Sequence, residues 1–168
     1  NLGETIKNLH DKGYYHRDIK PANILFVDDR LYLADFGLVK FPNNKDITEE
    51  KADVGPKFTM APEMRRNASI ASGEFADVYS FAKTLWITIT GNHKCFDGQY
   101  NVLSTVGLSN YYGGLYSKSF DVLLTECTED SPNQRPKMVD VVRRLKEWTE
   151  INNDFHSRNL TEWFDLQR

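Results

Sequence analysis

The sequence predicts a mainly α-helical fold that carries one short β-hairpin. Two observations predict it. Apolar residues recur at helical spacing in four stretches, residues 2–12, 74–90, 117–127 and 136–149. Two short apolar runs, residues 24–27 and 31–33, flank the pair Asp28-Asp29, the pattern of two strands joined by an acidic turn. A chain of 168 residues is long enough for one domain with a real core. Its 40% hydrophobic and 27% charged content are ordinary for a globular protein.

Each element has a local reason. Leu2, Ile6 and Leu9 share one face of the first helix, and Gly13 stops it. Tyr14 and Tyr15 lead into a polar run, and the hairpin follows. Residues 41–59 contain Pro42, Asn43, Asn44, Gly55 and Pro56 and read as a long loop, a kind that is usually functional or disordered. From residue 74 to 90, Val78, Phe81, Ala82, Leu85, Trp86 and Ile89 cover most faces of a helix, which predicts a buried helix ended by Gly91. Residues 92–114 are ambiguous, with room for a short helix near residues 100–105. The last helix follows Arg135 and Pro136, since proline is tolerated in a first turn. It places Met138, Val141, Val142, Leu145 and Trp148 on one face. The tail from residue 150 to 168 includes Trp163 and Phe164 and reads as an amphipathic segment packed on the rest.

Bulk properties exclude several function classes. A formal net charge of −3 and a pI of about 5.8 do not make the basic footprint of a nucleic-acid binder. No apolar run approaches the roughly 18 residues that span a bilayer, and no signal peptide is visible. Cys95 and Cys127 lie far apart in no ligand pattern, which predicts two free thiols in a reducing compartment. The expected location is the cytoplasm, or the cytoplasmic face of a membrane if a longer parent is anchored. The first residue is not Met and the chain opens inside a helical pattern, so residue 1 is not expected to be a natural start.

Three motifs carry the chemistry: His16-Arg17-Asp18-Ile19-Lys20-Pro21-Ala22-Asn23, then Asp35-Phe36-Gly37, then Ala61-Pro62-Glu63. Phosphoryl transfer asks a protein mainly for positioning and charge neutralisation. A carboxylate must sit near the attacking hydroxyl, oxygen ligands must hold a hard cation on the nucleotide phosphates, and a cation should offset charge building on the transferred group. Asp18, Lys20, Asn23 and Asp35 supply a residue for each need. Asn23 and Asp35 flank the predicted hairpin, which folds back and brings both to one metal site.

With these motifs in this order, residues 1–149 resemble the C-terminal, large lobe of a eukaryotic-type Ser/Thr protein kinase. The resemblance implies an α+β family fold whose helical bundle carries the catalytic and metal-binding loops on the hairpin. It implies ATP and Mg2+ as cofactors, and ATP and a protein substrate as partners. Lys20, two positions after Asp18, resembles the Ser/Thr rather than the tyrosine branch. In the family pattern Asp18 is the catalytic base, Lys20 contacts the transferred phosphate, Asn23 and Asp35 hold the metal ions, and Leu25 packs beneath the adenine. His16 and Phe36 match the packed spine, Asp77 the residue that hydrogen-bonds the catalytic-loop backbone, and Glu63 with Arg135 a buried ion pair. Arg17 resembles the arginine of kinases switched by activation-loop phosphorylation, with Thr48 the expected acceptor and Lys40 a second cation for its phosphate.

Two departures qualify the resemblance. Pro56 stands where Ser/Thr members usually carry a threonine whose hydroxyl bridges the catalytic Asp and Lys, and proline has neither hydroxyl nor backbone donor. Thr59 stands where tyrosine is common. Both bear on docking of a peptide substrate. The glycine-rich loop, strand lysine, helix glutamate and hinge belong to an N-terminal lobe, and no Gly-x-Gly-x-x-Gly occurs in the sequence. The N-lobe of the same kinase is therefore an expected partner, and the 168 residues alone are expected to have little or no activity. The alternatives are a pseudokinase or scaffold that binds without chemistry, and a half-kinase completed by another chain.

Overall fold

A computed structural model describes residues 1–40, 58–111 and 117–166, with side chains described through residue 154. The elements are α1 (Leu2–His10), β1 (Ile24–Val27), β2 (Arg30–Leu33), α2 (Pro62–Asn67), α3 (Gly73–Thr90), α4 (Lys118–Cys127) and α5 (Met138–Leu166). Single 3-10 turns occupy Pro21–Asn23, Leu108–Asn110 and Pro132–Gln134. The fold is mainly helical with one two-stranded antiparallel sheet.

The hairpin forms as its sequence predicts. Ile24 pairs with Leu33, Leu25 with Tyr32, Phe26 with Leu31 and Val27 with Arg30. Asp28 and Asp29 make the turn with φ of 48° and 59°. A two-residue hairpin turn of this hand needs positive φ at both positions, and Asp is one of the few side chains that tolerates it.

α3 is the central element. Val78, Phe81, Ala82 and Trp86 are buried along it. Around them pack Leu2 and Ile6 of α1, Phe120, Leu123 and Leu124 of α4, and Met138, Val141 and Val142 of α5. Trp86 donates its indole N–H to the Val106 carbonyl at 2.9 Å, which satisfies the one polar atom of a fully buried ring. Phe120 stacks on Trp148 with centroids 4.8 Å apart, joining α4 to α5. Gly91 ends α3 in the left-handed conformation, φ 66°, and its N–H reaches the Ile87 carbonyl at 2.9 Å. A second, smaller cluster of Ala61, Met64, Ala71, Ala76 and Tyr79 fastens α2 to the start of α3. Both cysteines are free and buried.

Three details differ from expectation. No helix forms near residues 100–105. There Asn101 accepts from the Leu103 N–H at 2.9 Å and Ser104 donates to the Asn101 carbonyl at 2.7 Å, so side chains take over the bonds a helix would need. Pro136 lies outside α5, whose first turn hangs from the Lys137 carbonyl (Asp140 N at 3.0 Å, Val141 N at 3.1 Å). α5 also runs without interruption past residue 149 to Leu166. How the tail side chains beyond residue 154 pack lies outside the described residues.

Gly73 opens α3 against Tyr15, and a Cβ there would come within 2.6 Å of the Tyr15 Cβ. Gly73→Ala should therefore cost about 1–3 kcal/mol, the range for overpacking. Urea denaturation should show a lower midpoint with an unchanged slope.

Candidate active site

The loop that carries Asp18 hangs from one buried side chain. Asp77, in the first turns of α3, is fully buried, and its two oxygens accept from the His16 N–H at 2.7 Å and the Arg17 N–H at 2.6 Å. Hydrogen bonds to a carboxylate are stronger than neutral ones, which offsets the cost of burying the charge. Arg17 takes φ 67° under this hold. A positive φ costs a non-glycine residue about 1–2 kcal/mol, so it persists only where the surroundings enforce it. His10, from the end of α1, places Nε2 3.0 Å from Asp77 Oδ2, the oxygen that accepts from His16. Nothing in the local sequence marks His10, because only the fold brings it to Asp77.

His16 is buried and its Nε2 lies 3.1 Å from the Ala34 carbonyl oxygen, which accepts its hydrogen. Its ring meets Phe36 edge-on at 5.0 Å. His16 thus joins the loop to the segment after β2. The same two segments meet again where the Ala34 N–H donates to the Asn23 carbonyl at 2.8 Å. Asp35 follows at once, with φ 61°, and its side chain accepts from the Gly37 N–H at 3.3 Å.

Asp18, Lys20 and Asn23 interlock. The Lys20 ammonium donates to Asp18 Oδ2 at 2.7 Å. Asn23 Nδ2 lies 2.9 Å from both that oxygen and the Asp18 carbonyl. The Asn23 amide nitrogen is thereby committed to Asp18, and its side-chain oxygen is the atom left for a cation. Asp35 is exposed and adds a carboxylate from the neighbouring segment. Two oxygen donors suit Mg2+, which keeps waters and phosphate oxygens as its remaining ligands. Among the described residues no group of three or more His, Cys, Asp or Glu could hold a metal by itself. Leu25 is 51% exposed on β1.

The remaining expected residues fall in two groups. Arg135 is buried and grips Glu63 with both terminal nitrogens, at 2.6 and 2.9 Å. It also donates to the carbonyls of Phe75, Glu129 and Asp130, at 3.0, 2.7 and 3.3 Å. This ties α2 to the turn before α5. Arg17 donates from its guanidinium to the Ala68 carbonyl, which fastens the loop to the segment between α2 and α3. Lys40 pairs through its backbone with Tyr15, N to O at 3.0 Å. Thr59 is buried. Thr48 and Pro56 lie outside the described residues.

Residues 1–145 match the protein kinase domain. The chain is 35% identical over 155 residues to the probable serine/threonine-protein kinase drkC of Dictyostelium discoideum, covering 86% of this chain and 20% of that protein. It is 34% identical over 144 residues to mitogen-activated protein kinase kinase kinase 1 of Arabidopsis thaliana, covering 83% and 23%. Against the serine/threonine-protein kinase AfsK of Streptomyces coelicolor it is 30% identical over 148 residues, covering 86% and 18%. The chain belongs to the protein kinase family. It spans about a fifth of the length of these relatives.

The Glu63–Arg135 pair yields a stability prediction. Removing one partner of a buried pair costs about 3–5 kcal/mol. Arg135 keeps three carbonyl acceptors when Glu63 is lost, so Glu63→Ala should cost about 3 kcal/mol, the low end of that range, by urea denaturation.

Proposed function

We propose that this chain is the large lobe of a Ser/Thr protein kinase, which moves the γ-phosphoryl group of ATP to a protein hydroxyl. The interlocked Asp18, Lys20 and Asn23 carry the reading, together with Asp35, which follows Ala34, whose N–H bonds the Asn23 carbonyl. Asp18 accepts the proton of the attacking hydroxyl. Lys20, held on Asp18, balances negative charge on the transferred group. Asn23 and Asp35 would hold Mg2+, which supplies neutralisation of the phosphate charge when bound. Position sets these roles: base, cation and metal ligands share one loop and its hairpin partner.

The exposed apolar side chains favour a covered surface beside the site. Leu25, Phe26, Val27, Tyr32 and Phe36 are each about half exposed or more. Leu25, Val27 and Tyr32 share one face of the hairpin, and an exposed apolar face of this kind suits an interaction. In this reading it meets the N-terminal lobe of the same kinase, which supplies the other wall of the ATP cleft. The greater length of the relatives supports that assignment. A second chain that completes the cleft in trans would use the same face. The free buried thiols suit a reducing compartment such as the cytoplasm.

Phosphotransfer to casein tests the proposal. The longer kinase should turn over, and Asp18→Asn should lower kcat by about 10²–10⁴-fold, the usual contribution of a general base. The 168 residues alone should show little or no turnover. Equal function of Asp18→Asn and wild type would mean a scaffold, and robust turnover by the isolated chain would remove the need for a second lobe.

A further inference from the structure

Lys83 is the least expected group in the interior. It lies on α3 with no exposed surface, on a helix whose apolar pattern predicts burial on most faces. Among the described residues it forms no ion pair. Its ammonium donates to the Phe96 carbonyl at 2.6 Å. The same nitrogen sits 3.6 Å from the centre of the Phe96 ring and 5.2 Å from that of Tyr79. Burial lowers its pKa to about 8. An apolar side chain of similar volume would fill this space without the desolvation cost. Such a local conflict is characteristic of functional positions.

What Lys83 grips is a turn held at three consecutive residues. Lys83 takes the carbonyl of Phe96. Asp97 pairs with Arg65 of α2 at 3.7 Å. Tyr79, one helical turn before Lys83, donates its hydroxyl to the Gly98 carbonyl at 3.0 Å. Both Arg65 and Tyr79 then reach the loop that enters α2. Arg65 donates from Nε and Nη2 to the Met60 carbonyl, at 3.2 and 3.1 Å. Tyr79 packs in the cluster with Ala61 and Met64, against which Met60 also lies.

We propose that Lys83 is a positioning residue for the protein substrate: it clamps the turn at residues 96–98, and that turn, through Arg65 and Tyr79, sets Met60 beside Thr59, a position that the kinase resemblance ties to peptide docking. The proposal rests on the kinase reading for the identity of the docked polypeptide. The brace itself does not depend on it. Lys83 touches no reacting atom, so its effect falls on substrate affinity rather than on chemistry.

Methyl NMR on the chain, with its three methionines labelled, reads the brace directly. In Lys83→Leu the Met60 methyl should shift and broaden while Met138, in the main core, stays in place. Asp97→Asn and Tyr79→Phe, which change surface charge or one hydroxyl, should each move Met60 in the same sense even if Lys83→Leu fails to fold. An unmoved Met60 in these two variants overturns the proposal, and so does an equal disturbance of Met60 and Met138 in Lys83→Leu. In the full-length kinase, Lys83→Leu should raise KM for casein several-fold and leave kcat and KM for ATP unchanged. A fall in kcat with KM intact would overturn the positioning role. Absence of turnover in the wild-type kinase would overturn the kinase reading, and with it substrate docking as the purpose of the brace, whereas the Met60 shifts would still report the clamp.

Discussion

The Asp77 carboxylate, buried at the head of α3 and bonded to the backbone of His16 and Arg17, is the constraint on which the site depends. It fixes two consecutive N–H groups and holds the intervening backbone in a conformation that an arginine does not adopt freely. Once those peptides are set, the His16 ring turns to Ala34 and Phe36, and the Asp18 side chain turns to Lys20 and Asn23. A loop without such a tether would spread these groups over many geometries. Catalytic positioning is sensitive to shifts of about 1 Å, so a buried anchor is a direct way to narrow them.

α3 does this for more than one loop. Near its start Asp77 holds the segment with Asp18. Further along, Tyr79 and Lys83, spaced i and i+4 and so on one face, hold the turn at residues 96–98. Trp86, a turn later, fixes the Val106 carbonyl. The apolar side chains of α3 are buried among α1, α4 and α5, so each polar contact is made from an element that cannot easily shift. Arg135 adds a tie from outside the helix, joining Glu63 of α2 to the Phe75 carbonyl at the base of α3. Fold stability and site geometry are thus properties of the same helix.

Much of this was legible in the sequence, for identifiable reasons. The hairpin could be placed because Asp28-Asp29 separates two apolar runs and fixes the register. α3 could be read as buried because apolar residues occupy most of its faces. Asp18, Asn23 and Asp35 could be named from motif order, although their mutual contacts could not. α2 escaped notice because six residues starting at Pro62 are too short to show a period. The helix allowed near residues 100–105 lost to bonds from Asn101 and Ser104, which compete locally with helix formation. Contacts to backbone carbonyls, such as His16 to Ala34, Arg17 to Ala68 and Lys83 to Phe96, leave no trace in residue identity. His10 and Lys83 were invisible for the complementary reason: a single polar residue on a helix says nothing until its neighbours in space are known.

Hydrogen exchange at the His16 and Arg17 amides, compared between wild type and Asp77→Ala, tests the tether most directly. The account predicts strong protection in the wild type. In the variant, protection at those two amides should fall by well over tenfold while the amides in the middle of α3 keep theirs. Unchanged protection at His16 and Arg17 in a folded Asp77→Ala protein would contradict the claim that this carboxylate holds the site together.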